Sequence, residues 1–404
     1  MEKQDKQLYN SLLKEEKGEF SNYILEKYSN LDSSFTAVFY GVVERKYTLD
    51  YILSKYLTKN INALPVEVLI VLRIGLYKTL FMKSIPTFAA VSESVNLVKA
   101  TKFKDFSGLI NAVLRNASKY DIAKLNNKEP RIKYSVNDWI YNSVHNQIGK
   151  ENAEMFFEDA LKPSPIFVVV NTLKTDAESL LKTNGFSTTK FDNILLSNDH
   201  HILLDCIKNG LCFVQDISAA SSIFRLDLSN ATYVLDLCGA PGGKSFDVYL
   251  STNGKSEITC CDINKARLNI LTENIDNLGF SVKTRLMDAT EFSPDLGLFD
   301  ICICDVPCSG IGTIRKKPEI KYKSISKVNE LIPIQRSILN NAAKYINKNG
   351  KIIYSTCTLN YDENRGNIEH FINLNKEFKI DSEVIYHAAA CGGDGFYSCV
   401  LKRR

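Results

Sequence analysis

At 404 residues the chain exceeds one ordinary domain, so two or three are expected, and its 45% hydrophobic and 24% charged residues have the balance of a soluble globular protein with ample core material. The net charge of +4 is uneven: residues 1–130 hold 19 Lys+Arg against 14 Asp+Glu, the remainder 31 against 32, a modest basic excess in one region that fits RNA contact. Eleven cysteines without a CxxC pair, behind an N-terminus ("MEKQDKQLYNSLLKEEKGEF") with no apolar signal core, argue against a disulfide scaffold or a zinc site and for reduced thiols in the cytoplasm.

Residues 1–126 read as all-α. "VEVLIVLRIGLYKTLF" is interrupted by Glu67, Arg73 and Lys78 and is apolar on more than one face, so it predicts a buried helix rather than a membrane span, with Pro65 in its first turn. Pro86 opens a second helix whose stripe is Phe88, Val91, Val95 and Val98. Ser107 is a candidate N-cap for "SGLINAVLRNASKY". The polar segment 124–135 reads as a linker. A small α+β unit then extends to residue 215, with a helix around Trp139, a helix at 175–184 and strands in "PIFVVVNTL", "DNILLSND" and "GLCFVQD". The linker and this unit together make a 127–215 division. From 216 to 404, strand-like runs "YVLDLCGA", "SEITCCDI", "VKTRLMDA", "FDICICDV" and "KIIYSTC" alternate mainly with helices. That pattern predicts a mostly parallel, doubly wound α/β sheet, with "GFYSCVLKR" as a final edge strand. Ligands of such sheets collect beyond the carboxyl ends of the strands.

"VLDLCGAPGGKSFDVYL" is strand, glycine loop, helix. Gly239, Gly242 and Gly243 let the backbone approach a ligand, and Asp262, 20 residues beyond Gly242, ends the next strand where a carboxylate can accept from ribose hydroxyls. Loop and carboxylate fit a dinucleotide or S-adenosylmethionine. Because the spacing is not GxGxxG and the strand carries Asp236, the methyl donor is favoured. Asp288, after the third strand, is placed either to reach an adenine amine or to cap a helix.

The fourth strand delivers "FDICICDVPCSG", with Asp305 at its end and Cys308 exposed in the loop; the fifth delivers Cys357. Neighbouring strand ends predict one pocket holding a carboxylate and two thiols, the equipment that methylation of cytosine at C5 requires. C5 is a poor nucleophile until a thiolate adds to C6 and makes the ring an enamine. A carboxyl group near N3 and the exocyclic amine stabilises the charge that builds in the ring, and a second thiol can serve as base for product release.

These residues resemble the RsmB/Sun family of ribosomal RNA cytosine-5 methyltransferases: "LDLCGAPGGK" looks like its cofactor loop, "CDVPCSG" its fourth motif and "YSTCTLNYDEN" its sixth. "VQDISA" leads into the catalytic domain as in the family, and "LRIGLYKTLFM…IPTFAAVSESVNLVK…GLINAVLRNAS" is similar to the antitermination factor NusB. The resemblance covers nearly the whole chain. It implies three domains: NusB-like and RNA-binding (1–126), small α+β (127–215), and Rossmann-like methyltransferase (216–404). By position it implies Cys357 as nucleophile, Cys308 as the thiol assisting release, and S-adenosyl-L-methionine held by Cys238, Gly239, Ala240, Pro241, Gly242, Gly243, Lys244, Asp262, Asp288 and Asp305. Gly239 and Val306 stand where alanine is commoner in the family, and "TLNYDEN" replaces its proline-bearing turn.

After Cys308, "IGTIRKKPEIKYK" offers Arg315, Lys316 and Lys317, with Lys321 and Lys323, as candidate phosphate contacts. The target cytosine must be unpaired or flipped, since C6 is out of reach in a stacked helix. The expected partner is 16S ribosomal RNA, read partly by the two N-terminal regions as the resemblance implies, with the protein a monomer, without a metal and off the membrane. Three other readings compete. A uracil-5 RNA methyltransferase has no need of Cys308, a non-catalytic RNA-binding or antitermination protein leaves both thiols and the glycine loop unexplained, and a nicotinamide dehydrogenase has the wrong loop spacing.

Overall fold

A computed structural model describes residues 2–28, 31–229, 231–387 and 392–404; Cys391 lies outside them. The chain groups into two compact units, Met1–Asn142 with Lys316–Lys323, and Ser143–Arg315 with Ser324–Arg404. No helix among the described residues is long and apolar enough to cross a membrane.

The first unit is helical and contains no strand among its described residues. Val66–Phe81 is its central helix, burying Val68, Ile70, Val71, Leu72, Ile74 and Leu76. Two of the charges that interrupt this apolar run are themselves buried and neutralised in place. Arg73 is held by Asp50 at 2.7 Å and by Glu16, and Lys78 by Asp5 at 2.9 Å and Glu93 at 3.0 Å. A buried cation without its partner is strongly destabilising, so the pairing is what makes this helix compatible with a core.

Local details depart from the sequence reading. Pro65 is an N-cap rather than a first-turn residue, Pro86 caps the helix it opens, and of the predicted stripe Phe88 is 78% exposed while Val91, Val95 and Val98 pack against the core. Ser107 is the first helical residue, capped from Phe106 with no side-chain bond. The stretch 124–135 is no solvated linker. It forms a 3-10 turn, Ile122–Asn127, and a short helix, Pro130–Lys133, because Pro130 suits a helical first turn and Leu125 and Tyr134 supply buried anchors.

The second unit holds both sheets, so the small α+β region and the larger sheet are one compact body. Strands β1 (Ile166–Val170), β2 (Phe186–Thr188), β3 (Ile194–Ser197) and β4 (Cys212–Val214) form an antiparallel sheet in the order β2-β3-β1-β4. The larger sheet comprises β5 (Tyr233–Asp236), β6 (Glu257–Asp262), β7 (Val282–Leu286), β8 (Phe299–Asp305), β9 (Ile346–Thr356), β10 (Phe378–Tyr386) and β11 (Phe396–Arg403). Its order is β10-β11-β9-β8-β5-β6-β7, parallel from β9 to β7 and antiparallel at β11 and β10. "GFYSCVLKR" is therefore not the edge: β11 is buried between β9 and β10, and the edge is the charged, alternating "FKIDSEVIY". From β5 the chain winds outward to β6 and β7, then returns to β8 on the other side. This reversal opens a crevice at the carboxyl ends of β5 and β8, where such sheets bind ligands.

Candidate active site

The loop after β5 is built from underneath. Asp236 is buried and accepts from Ser245 Oγ at 2.8 Å, tying the strand end to the helix Gly243–Ser251. Gly242 caps that helix at φ +119°, a left-handed conformation that a side chain resists. The Ala240 and Pro241 carbonyls accept from Arg267 and from Asn274 Nδ2 (3.1 Å) of the following helix.

Gly239 is packed so closely that a Cβ would lie 2.2 Å from Cys260 Sγ and 2.6 Å from the Asp236 carboxyl. That contact leaves no room for the Cβ of the alanine that the resemblance leads one to expect here. Gly239→Ala is expected to destabilise the second unit by about 1–3 kcal/mol through overpacking, and adding Cys260→Ala should return at least half of the lost melting temperature in a calorimetric scan.

Burial pushes the Asp236 carboxyl up to about 7, with Asp305 nearby adding to the effect. A carboxyl whose folded value exceeds its unfolded one costs nothing below about pH 4. It then loses stability progressively as the unfolded chain alone ionises, until the folded group follows near pH 7. Asp236→Asn should therefore flatten the fall in stability between pH 4 and 7, a window worth up to about 4 kcal/mol at this shift, as read from denaturant midpoints across pH.

Lys244, in the first turn of the helix Gly243–Ser251, is almost fully buried, and its ammonium donates to Asp305 Oδ2 at 2.6 Å. Burial opposes its charge, but Asp305 beside it, with Asp236 and Asp247, more than offsets this and raises its pKa. Ser355 Oγ donates to the other Asp305 oxygen at 2.9 Å. A cavity of about 400 Å³ opens here, lined by Gln215, Asp236, Gly239, Pro241, Lys244 and Asp305 among others.

Asp262 stands outside that lining but beside the loop. It is buried, accepts from the Asn264 amide at 2.8 Å, and has Arg267 3.1 Å from Oδ2, too skewed for a hydrogen bond. Oδ2 is thus a buried acceptor without an aligned donor, and the next residue, Ile263, is 66% exposed. Asp288 is exposed and caps no helix; it accepts from the Thr290 amide (2.9 Å) and hydroxyl (2.7 Å) in a tight turn, and makes no bond to the loop.

The two thiols meet. Cys308 Sγ lies 3.2 Å from Cys357 Sγ, and both residues are half-buried rather than exposed. The Cys357 contact first, then burial, pushes the Cys308 thiol well above its ordinary range, and either sulfur can be the donor of the contact. The Gly312 amide donates to the Cys357 carbonyl at 3.0 Å and fixes one loop against the other.

The basic run does not form one cationic surface. Arg315 is drawn inward, donating to Asp159 at 2.5 Å and to the carbonyls of Lys162 and Pro163, because the end of the helix Lys150–Asp159 offers it a carboxylate and unpaired carbonyls. Lys316 is half-buried and Lys317 exposed. Residues 316–323 fold with the first unit, where Lys321 is fully buried, donates to the Glu44 and Tyr134 carbonyls, and is lowered to about 8 by burial.

Sequence reasoning missed Ser309, Gln335 and Glu363, whose buried side chains bond across the two thiol loops. The recurrence of Asn360, Glu363, Asn364 and Asn367 at three- and four-residue spacing beside a thiol was the available signal.

Comparison with known proteins places these features. The family described as "16S rRNA methyltransferase RsmB/F" matches residues 223–393, and the NusB family matches residues 4–119. The "Probable ribosomal RNA small subunit methyltransferase B" of Bacillus subtilis (strain 168) is 29% identical, over 91% of this chain and 90% of its own length. The crystal structure of PH0851 superposes with a TM-score of 0.80 at 22% identity, covering 100% of this chain and 99% of that one. NSun6 from Pyrococcus horikoshii, solved with SFG, gives 0.58 at 19% identity, covering 66% and 98%. The chain therefore carries a NusB-family domain over residues 4–119 and, after it, an RsmB/F-family methyltransferase domain over residues 223–393.

Proposed function

We propose that this protein methylates C5 of a cytosine in small-subunit ribosomal RNA, using S-adenosylmethionine. The observation that carries the reading is the 3.2 Å approach of two half-buried thiols, one of them three residues beyond the Lys244–Asp305 pair. The fold supports the choice of donor, as does the relative's name for the choice of RNA.

The loop Cys238–Lys244 with Asp262 would hold the cofactor: Gly242 at its left-handed φ shapes the turn, Asp262 Oδ2, ion-paired with Arg267 but without an aligned donor, can accept from a ribose hydroxyl, and exposed Ile263 offers an apolar surface to a planar base. When bound, S-adenosylmethionine supplies an electrophilic methyl group. Asp288 and Asp305 complete the cofactor set as the family pattern has it.

The chain's own residues do the rest. Cys357 adds as thiolate to C6, and the electron density displaced into the ring collects at N3 and O2, where the Lys244 ammonium can donate. Asp305 accepts from the exocyclic amine, a donor that uracil lacks. After C5 is methylated, Cys308 first gives up its own proton to solvent and then takes the C5 proton as thiolate, the C5–C6 double bond re-forms, and Cys357 departs as thiolate. Lys316 and Lys317 remain the candidate phosphate contacts; Arg315, bonded internally, is withdrawn from that role.

Calorimetric titration with S-adenosylhomocysteine and with NAD should give binding only with the first. Bisulfite sequencing of ribosomal RNA from cells with and without the protein should then lose one protected cytosine in the small-subunit RNA. Protection unchanged at every position would refute the substrate.

A further inference from the structure

The two thiol loops are joined by a second rung. Residue for residue beside the Cys308–Cys357 contact, Ser309 Oγ and Thr358 Oγ1 lie 2.7 Å apart. Ser309 Oγ donates to Glu363 Oε2 at 2.5 Å, so its single proton is spent there and Thr358 must be the donor within the rung. Glu363 Oε1 accepts from the Ser309 amide at 2.8 Å and from Gln335 Nε2 at 3.0 Å. Gln335 Nε2 also donates to the Pro307 carbonyl at 2.9 Å. These bonds converge on residues 307 and 309, the two that bracket Cys308.

Glu363 itself sits on the Cys357 side. It is fully buried six residues after the nucleophile candidate, its carbonyl accepts from Tyr354 Oη at 2.6 Å, and its amide donates to Asn360 at 3.1 Å. A carboxylate anchored to one thiol loop thus grips the backbone and side chain of the other.

We propose that Glu363 is a positioning residue: through Ser309 and Gln335 it sets the reach of Cys308 toward Cys357 and toward the carbon that Cys357 attacks. The inference rests on the thiol roles proposed above. It adds that release, more than addition, depends on this carboxylate, because its own bonds reach residues 307 and 309 on either side of the release thiol, whereas Cys357 directly follows β9.

The test compares Glu363→Gln and Ser309→Ala with Cys308→Ala, using S-adenosylmethionine and the RNA substrate, resolved on denaturing gels. Glu363→Gln should still transfer methyl groups but accumulate covalent protein–RNA adduct, with release slowed at least tenfold; Ser309→Ala should do the same more weakly. If Cys308→Ala traps adduct and Glu363→Gln releases at the wild-type rate, the proposal fails. It fails equally if Glu363→Gln loses adduct formation and release together, since Glu363 then serves the fold at large.

Should Cys308→Ala trap nothing, the thiol roles are wrong, and a readout without RNA decides the positioning. In a glutathione buffer, oxidised glutathione takes two electrons and two protons from the pair as a Cys308–Cys357 disulfide forms, mapped by peptide mass. Its equilibrium constant measures how closely the sulfurs are held. Glu363→Gln should lower that constant at least tenfold, and an unchanged value overturns the proposal.

Discussion

Cys357→Ala is expected to lose methyl transfer by at least roughly 10⁴-fold, the scale on which removing a covalent nucleophile acts. Binding of S-adenosylhomocysteine should stay within a few-fold of wild type, because the glycine loop is held by Asp236, Ser245, Asn274 and Arg267 and makes no use of this sulfur. The variant should fold. Cys357 is only half-buried, and the backbone bond from Gly312 to its carbonyl does not depend on the side chain. Transfer of a labelled methyl group to RNA, measured beside calorimetric binding, separates the outcomes. Loss of both would point to a damaged fold, whereas substantial transfer by a variant that binds normally would remove the covalent step from the mechanism.

Much of this arrangement is legible before any coordinates. In a parallel sheet the strand ends that share a rim are set by strand order, and runs such as "FDICICD" and "KIIYSTC" are apolar enough to announce their burial. Once β8 and β9 are neighbours, Cys308 and Cys357 must lie near each other. What the sequence conceals is the use of polar residues inside the body. Arg315 and Lys321 look like solvated cations in a basic run, and nothing local reveals that Asp159 or the Tyr134 carbonyl will claim them. Glu363 was hidden for the same reason: its partners are 54 and 28 residues away, and a carboxylate in a loop reads as exposed. The edge strand escaped because Lys379, Asp381 and Glu383 alternate with its apolar residues and dilute the signal, while β11, buried from Phe396 to Leu401, was assigned the rim it does not occupy.

Cys308→Ala should give the opposite defect to loss of the nucleophile: chemistry proceeds and the product stays attached. Before the Cys357 sulfur bonds to C6, its contact is the first cause holding the Cys308 thiol above its ordinary range, ahead of burial. Once that sulfur is bonded to C6 it is a thioether and can no longer carry negative charge. The leading obstacle to deprotonating Cys308 then disappears at the stage where a base is wanted. Alanine removes the base and leaves Cys357 untouched. Release should slow by about 10²–10⁴-fold, the usual contribution of a positioned general base, so that methylated RNA accumulates on the protein toward one equivalent and survives denaturing electrophoresis. The pH profile carries the same signature. Wild-type release should accelerate with rising pH as Cys308 ionises, and the residual release of the variant should lack that limb. A Cys308→Ala protein that turns over normally and leaves no adduct would end the two-thiol mechanism.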